Sequence, residues 1–279
     1  MSPDGHPSGD TPTPRRVFRA AGRARRLRIE TLSFNRLIPN MLTLLALCAG
    51  LSAVRYAIGE HWDRAVIAIA AAAFLDGIDG RIARLLRSTS KFGQELDSLA
   101  DAISFGVAPA MVMYLWSLQH AAHFGWTLSL LFAVCSVLRL ARFNTMVGQD
   151  LPHWAHNYFT GMPTPAGAGI AILPLIMWLY TDHDLFRDPV IAGAFVLVVS
   201  ILMVSRVPTF SGKRMRLKPH WVVPLMIVIG LTGALLVTDT WATLSALGIF
   251  YLATIPVSVM SFRKLKARPP EPEAAIEEE

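Results

Sequence analysis

Cysteine and charge are what this sequence has least of: two Cys in 279 residues, and 16% charged side chains. Cys48 and Cys135 are far apart and each falls within an apolar run, so neither a disulfide framework nor a metal knuckle is spelled out. Both read as small buried hydrophobes. The shortage of charge excludes an ordinary soluble domain, in which about 25% of residues are charged. With 53% hydrophobic residues and a mean hydropathy of +0.44, the chain reads as an integral membrane protein. Lysine and arginine are also missing locally. Neither 59–63, 117–124 nor "VTDT" contains either, and "TDHDLFRD" holds a single Arg.

A membrane-crossing helix needs about 20 mostly apolar residues. Eight stretches qualify, near 37–58, 64–86, 94–116, 125–143, 163–181, 189–206, 220–238 and 241–260. The expected fold is therefore all-α, a polytopic bundle of about eight transmembrane helices. Between the uncharged loops lie basic ones: Arg81, Arg84, Arg87 and Lys91, then Arg139 and Arg142, then Arg206 and Lys213 to Lys218, then "FRKLKAR". By the positive-inside rule this alternation places both termini in the cytoplasm. The basic opening "PRRVFRAAGRARRLRIETLSFNR" precedes an apolar run too long for a secretory signal. It is expected to lie on the membrane surface, Val17, Phe18, Leu27 and Ile29 dipping in while arginines meet anionic headgroups; a nucleic-acid-binding arm is disfavoured beside so many spans. The closing "PPEPEAAIEEE" has the composition of a disordered tail.

Within this apolar frame, "LDGIDGRIARLLRSTSKFGQELDSLAD" places Asp76, Asp79, Asp97 and Asp101 where hydrocarbon is expected. At about 100° per residue, Asp76, Asp79, Gly80, Ala83, Arg84 and Arg87 share a helical stripe roughly 140° wide. Gly93, Asp97 and Asp101 are spaced four apart and share another face. Two antiparallel helices joined by "RSTSKFG" bring these faces together. Four carboxylates converging in a membrane cannot all remain ionised and unpaired. Divalent cations resolve the conflict. Hard oxygen donors suit Mg²⁺, Mn²⁺ or Ca²⁺, and four carboxylates suffice for two ions about 4 Å apart. With no Cys or His among them, zinc is disfavoured. Such a site suits phosphoryl chemistry, with Arg84 available for a bidentate phosphate contact and Gly80 and Ala83 leaving room for a ligand against the helix. A salt-bridge cluster with Arg81, Arg84 and Arg87 is the bland alternative.

The pattern "D76-G-I-D79-G80-R-I-A83-R84", eight further residues, then "G93-Q-E-L-D97-S-L-A-D101" resembles the signature of the CDP-alcohol phosphatidyltransferases, with every fixed position filled. The resemblance implies a membrane enzyme that transfers a phosphatidyl group from a CDP-linked lipid to an alcohol, releasing CMP. It also implies a six-helix core, usually dimeric. Residues 36–206 would form that core, 1–35 a basic cytoplasmic segment, 207–262 a loop and two additional helices, and 263–279 the tail. By the family pattern Asp76, Asp79, Asp97 and Asp101 hold two divalent ions, and Asp101 is the base for the acceptor hydroxyl. Asp76, Asp79, Gly80, Ala83, Arg84 and Gly93 would lie along the CDP-lipid. "PNMLT" resembles the family's first-helix opening, although Asn40 also suits a helix cap.

"SLADAISFGVAPA", "LRLARFN" and "FTGMPTPAGAG" resemble the phosphatidylserine synthase branch of the family. Thr164 stands where an aliphatic residue is frequent. The resemblance implies CDP-diacylglycerol and L-serine as substrates, in the cytoplasmic (inner) membrane of a bacterium. Serine's carboxylate wants a cation, and Arg139, Arg142 and Asn144 lie at the end of the fourth span, with Thr160 and Thr164 opening the fifth. Two parallel hydrogen bonds from an Arg would clamp that carboxylate. The positive-inside rule by itself also calls for arginines here. Two other readings stay open: transfer to glycerol phosphate or inositol phosphate, and, outside this chemistry, a divalent-metal transporter.

Overall fold

A computed structural model describes residues 34–86, 90–146, 158–160, 162–205, 208–210 and 221–266. The predicted surface helix before residue 34, Arg87, His153, His156, Gly161, the basic run 213–218 and the tail beyond 266 lie outside these residues. Helices are α1 (Phe34–Ile58), α2 (Trp62–Leu85), α3 (Lys91–Asp101), α4 (Ala108–Trp116), α5 (Ala122–Met146), α6 (Thr164–Ala171), α7 (Leu173–Thr181), α8 (Pro189–Val204), α9 (Val222–Thr238) and α10 (Thr240–Lys266). A π-helical turn, Ala102–Val107, joins α3 to α4 without a break. Two three-residue strands, β1 (Tyr158–Thr160) and β2 (Pro208–Phe210), pair antiparallel, a small departure from the all-α expectation.

Among the described residues, three stretches are long and apolar enough to cross a membrane: Leu37–Ile58, Lys91–Trp116 and Ala122–Thr145. The α6–α7 pair makes a fourth if its 42° bend belongs to one span. Pro174 accounts for that bend, because it has no N–H to offer the carbonyl four residues back. Helices α8, α9 and α10 are apolar but shorter over their described hydrophobic portions. Helix α10 continues to Lys266, past position 262, the expected end of the two additional helices.

Side-chain size decides what faces inward. Ala46, Ala53 and Ala57 of α1 and Ala65, Ala68 and Ala72 of α2 are buried, while Leu44, Leu45, Leu51 and Ile67 point outward. Small residues at three- and four-residue intervals let two helix backbones approach closely, which is how helices associate where hydrocarbon gives no hydrophobic drive. The resulting hairpin is the most extensive helix pairing in the fold. The same buried cluster takes in Trp116, Phe132, Met113, Leu173 and Val196, so α4 to α8 pack onto one core with this hairpin. Trp116 belongs to this core and is fully buried, whereas Trp126 and Trp221 are exposed. Cys135 is buried as expected, whereas Cys48 is exposed on α1.

Candidate active site

The signature occupies the facing ends of α2 and α3. Ser90 starts α3 by accepting a hydrogen bond from the Gly93 amide at 3.0 Å, a side-chain N-cap that satisfies one of the helix's orphan donors. Here Gly93 has a steric reason. A Cβ at this position would stand 3.0 Å from Asn40 Oδ1 and 3.2 Å from Ser90 Oγ. The link between the two helices is short enough that the acidic faces meet.

Three of the four aspartates converge. One carboxylate oxygen from each of Asp76, Asp97 and Asp101 lies within 4.8 Å of the other two, and all three side chains are half-buried. Asp79 does not join this group. It is 4% exposed and accepts a hydrogen bond from the Thr43 hydroxyl at 2.6 Å; that hydroxyl also lies 3.1 Å from the Pro39 carbonyl. Expected as one set of four carboxylates, the acids are thus three gathered and one tethered to α1. Asp79 remains near enough to Asp76 and Asp97 for their charges to interact.

Beside the carboxylates opens a cleft of about 350 Å³, lined by Pro39, Asn40 and Thr43 of α1, Asp79, Gly80, Ala83 and Arg84 of α2, Ser90, Gly93, Gln94 and Asp97 at α3, and Phe143 of α5. Asp97 belongs to both the cleft and the carboxylate group, so the two are one continuous site. Gly80 faces open space, as its small size had suggested. Thr43, Gln94 and Phe143 escaped the sequence reading. Thr43 carried a legible signal, since it follows Pro39 by one helical turn and shares its face. Phe143 carried none, because only the packing of α5 brings it here.

The residues expected to meet the acceptor separate. Arg139 is 9% exposed, and its Nη1 donates to the hydroxyl of fully buried Thr164. Its guanidinium lies 5.6 Å from the centre of the Phe143 ring and interacts electrostatically with Asp101. Arg139 and Thr164 therefore join the site from α5 and α6. Arg142 turns elsewhere. It donates to the carbonyls of Val204 at 2.8 Å and of Met203 and Ser205 at 3.3 Å, satisfying the unpaired carbonyls at the end of α8. Asn144 is exposed and donates to Ser98 Oγ at 2.9 Å, tying α5 to α3. Thr160 lies in β1, directly before the entry into α6.

The donor chemistry fits a divalent cation. The group that could hold one is made only of carboxylates, hard oxygen ligands that suit Mg²⁺, Mn²⁺ or Ca²⁺ better than zinc.

Comparison with known proteins decides the family. The chain matches the CDP-alcohol phosphatidyltransferases over residues 36–210. It belongs to that family. A second description, CDP-alcohol phosphatidyltransferase 2, matches residues 220–256. The family stretch holds every described site residue named so far, from Pro39 to Thr164. Among similar proteins is the CDP-diacylglycerol–serine O-phosphatidyltransferase of Mycobacterium tuberculosis, 39% identical over 235 residues, covering 84% of this chain and 82% of that protein. The enzyme of the same name from Helicobacter pylori is 35% identical over 184 residues, 65% of this chain and 76% of its own. An archaetidylserine synthase of Methanothermobacter thermautotrophicus is 30% identical over 173 residues, 61% of this chain and 68% of its own.

Proposed function

We propose that this phosphatidyltransferase moves the phosphatidyl group of CDP-diacylglycerol to the hydroxyl of L-serine, giving phosphatidylserine and CMP. The observation that carries the choice of acceptor is buried Arg139, which donates to the Thr164 hydroxyl and lies by the Phe143 ring that lines the cleft. A buried guanidinium needs an anionic partner, and serine brings a single carboxylate. Glycerol phosphate or inositol phosphate would bring a dianion and call for a denser cationic pocket than one buried Arg. The relatives named for serine transfer agree with this reading.

In the proposed reaction the CDP headgroup lies in the cleft against Gly80, Ala83 and Gly93, with Arg84 on a phosphate oxygen. Asp76, Asp79, Asp97 and Asp101 would hold the divalent ions. Such ions supply neutralisation of pyrophosphate charge and stabilisation of the departing CMP. Arg139 clamps the serine carboxylate, which aims the hydroxyl at the β-phosphorus. Asp101 accepts the hydroxyl proton as the new P–O bond forms and the bond to CMP breaks. Phe143, which lines the cleft and lies by Arg139, separates the two substrates' polar ends.

The same reading includes an eight-span topology with both termini and the site at the cytoplasmic face of a bacterial inner membrane. A homodimer is part of it, as are a catalytic core over 36–206, an appended pair of helices over 207–262 and terminal segments at 1–35 and 263–279. Purified protein in lipid vesicles with Mn²⁺ or Mg²⁺, CDP-diacylglycerol and each alcohol in turn provides the test. Serine is expected to release CMP. Release only with glycerol phosphate or inositol phosphate would overturn the acceptor, and metal flux into vesicles without CMP would overturn the reaction.

A further inference from the structure

The π-helical turn that follows Asp101 buries three residues in a row, Ser104, Phe105 and Gly106. Each rests on a different part of the bundle. Ser104 lies against α1: its hydroxyl donates to the Ala46 carbonyl at 3.3 Å, and a Cβ on Gly50 would stand 2.7 Å from Ser104 Cα. Phe105 forms a small buried cluster with Ala72 of α2 and Ala168 of α6, bordered by Ala49 and Ala73. Gly106 lies against α5, where a Cβ on it would stand 3.0 Å from Ser136 Oγ. Single π turns inside α-helices are frequent at functional sites, and this one begins at the carboxylate group.

The residues that the turn touches lie one helical turn from the site. Ala46 follows Thr43 by three positions, Ala72 precedes Asp76 by four, and Ala168 follows Thr164 by four, spacings that put each pair on one helix face. Phe105 follows Asp101 by four. Phe105 with Ala72 in the buried cluster and Asp101 with Asp76 in the carboxylate group are thus successive rungs between the same two helices. The Phe105 ring is the one large side chain in a cluster otherwise made of alanines, so its size sets the spacing at that rung. Gly50 backs the turn from the other side, and a methyl there would meet backbone, which cannot swing away as a side chain can.

We propose that Phe105, seated by Gly50, is a positioning residue for the carboxylate group: it sets how closely Asp101 approaches Asp76, and with that the affinity for a divalent cation. This rests on the reading of those carboxylates as metal ligands. The test measures Mn²⁺ binding directly, by loss of the free-ion electron paramagnetic resonance signal, on the full chain in lipid vesicles without substrate. Asp97→Asn, which removes a ligand charge, is expected to abolish binding. Phe105→Leu is expected to raise the Mn²⁺ dissociation constant about tenfold, the low end for losing a residue that orients metal ligands. Gly50→Ala should raise it at least as far. Phe132→Leu makes the same change at a fully buried position of α5 in the larger core. It should lower the thermal unfolding midpoint as much as Phe105→Leu does, yet leave the Mn²⁺ dissociation constant within about twofold. If Phe105→Leu weakens Mn²⁺ binding no more than Phe132→Leu while Asp97→Asn abolishes it, the positioning role is overturned and the ligands stand. If Asp97→Asn binds Mn²⁺ as the unaltered chain does, the ligand reading is wrong and the role of Phe105 goes with it. Should Gly50→Ala not fold, the comparison of Phe105→Leu with Phe132→Leu decides alone.

Discussion

The two sides of the site are assembled differently. On the side of α1, α2 and α3, most of the functional positions lie between Asp76 and Asp101, on two helices joined by a few residues. On the other side Arg139 and Thr164 come from α5 and α6, segments that meet only because the bundle closes. The first side is dense in carboxylates and open to a cleft; the second is a single buried cation and its supports. In the proposed reading a metal-and-nucleotide face lies in one compact block of sequence, while the acceptor face is composed from separate helices.

The sharpest test of this contrast is Asp101→Asn, which sits where the two sides meet. If the residue is both ligand and base, CMP release should fall by about 10²–10⁴-fold in a single-turnover assay, whichever acceptor is offered. Near-normal turnover would detach the carboxylate group from catalysis. Next comes Arg139→Lys. Loss of the planar fork is expected to raise the serine KM by about 10- to 100-fold, the range for hydrogen bonds to a charged group, with little change in the KM for CDP-diacylglycerol. An equal rise in both constants would blur the two sides into one. Thr43→Val removes the hydroxyl that holds Asp79, and the expected mark is the reverse split. The KM for the CDP-lipid, or the concentration of Mn²⁺ for half activity, should rise by about tenfold, with serine affinity unaffected. Smallest in activity is Arg142→Ala. Because Arg142 caps the end of α8, its loss should lower unfolding stability by about 1–3 kcal/mol and leave the serine KM within about twofold. A large serine effect there would return Arg142 to the acceptor pocket.

Legibility followed the same division. The eight apolar stretches covered the helices α1 to α10, since burial in lipid demands long hydrophobic runs, but not the π-helical turn between α3 and α4, the bend between α6 and α7 or the end of α10 at Lys266. Among the described residues three stretches, or four with the bent pair, are long and apolar enough to span. Helical spacing put Asp76, Asp79, Gly80, Ala83 and Arg84 on one face, and Gly93, Asp97 and Asp101 on another. It could not foresee that Asp79 would be held by Thr43, because that hydrogen bond crosses from α1. Nor could it tell Arg139 from Arg142. The two are three residues apart on one helix, and both suit the positive-inside rule. Neighbours separated them: Thr164 took one, and the carbonyls ending α8 took the other.

What the sequence determined by itself was local and periodic: apolar length, charge alternation, and two acidic faces whose spacing a helix converts directly into geometry. Only the tertiary structure decided which carboxylates gather and which arginine is buried. Those outcomes depend on helix–helix crossings set by alanine-lined contacts and proline bends, and no periodicity within one helix encodes where a different helix will lie.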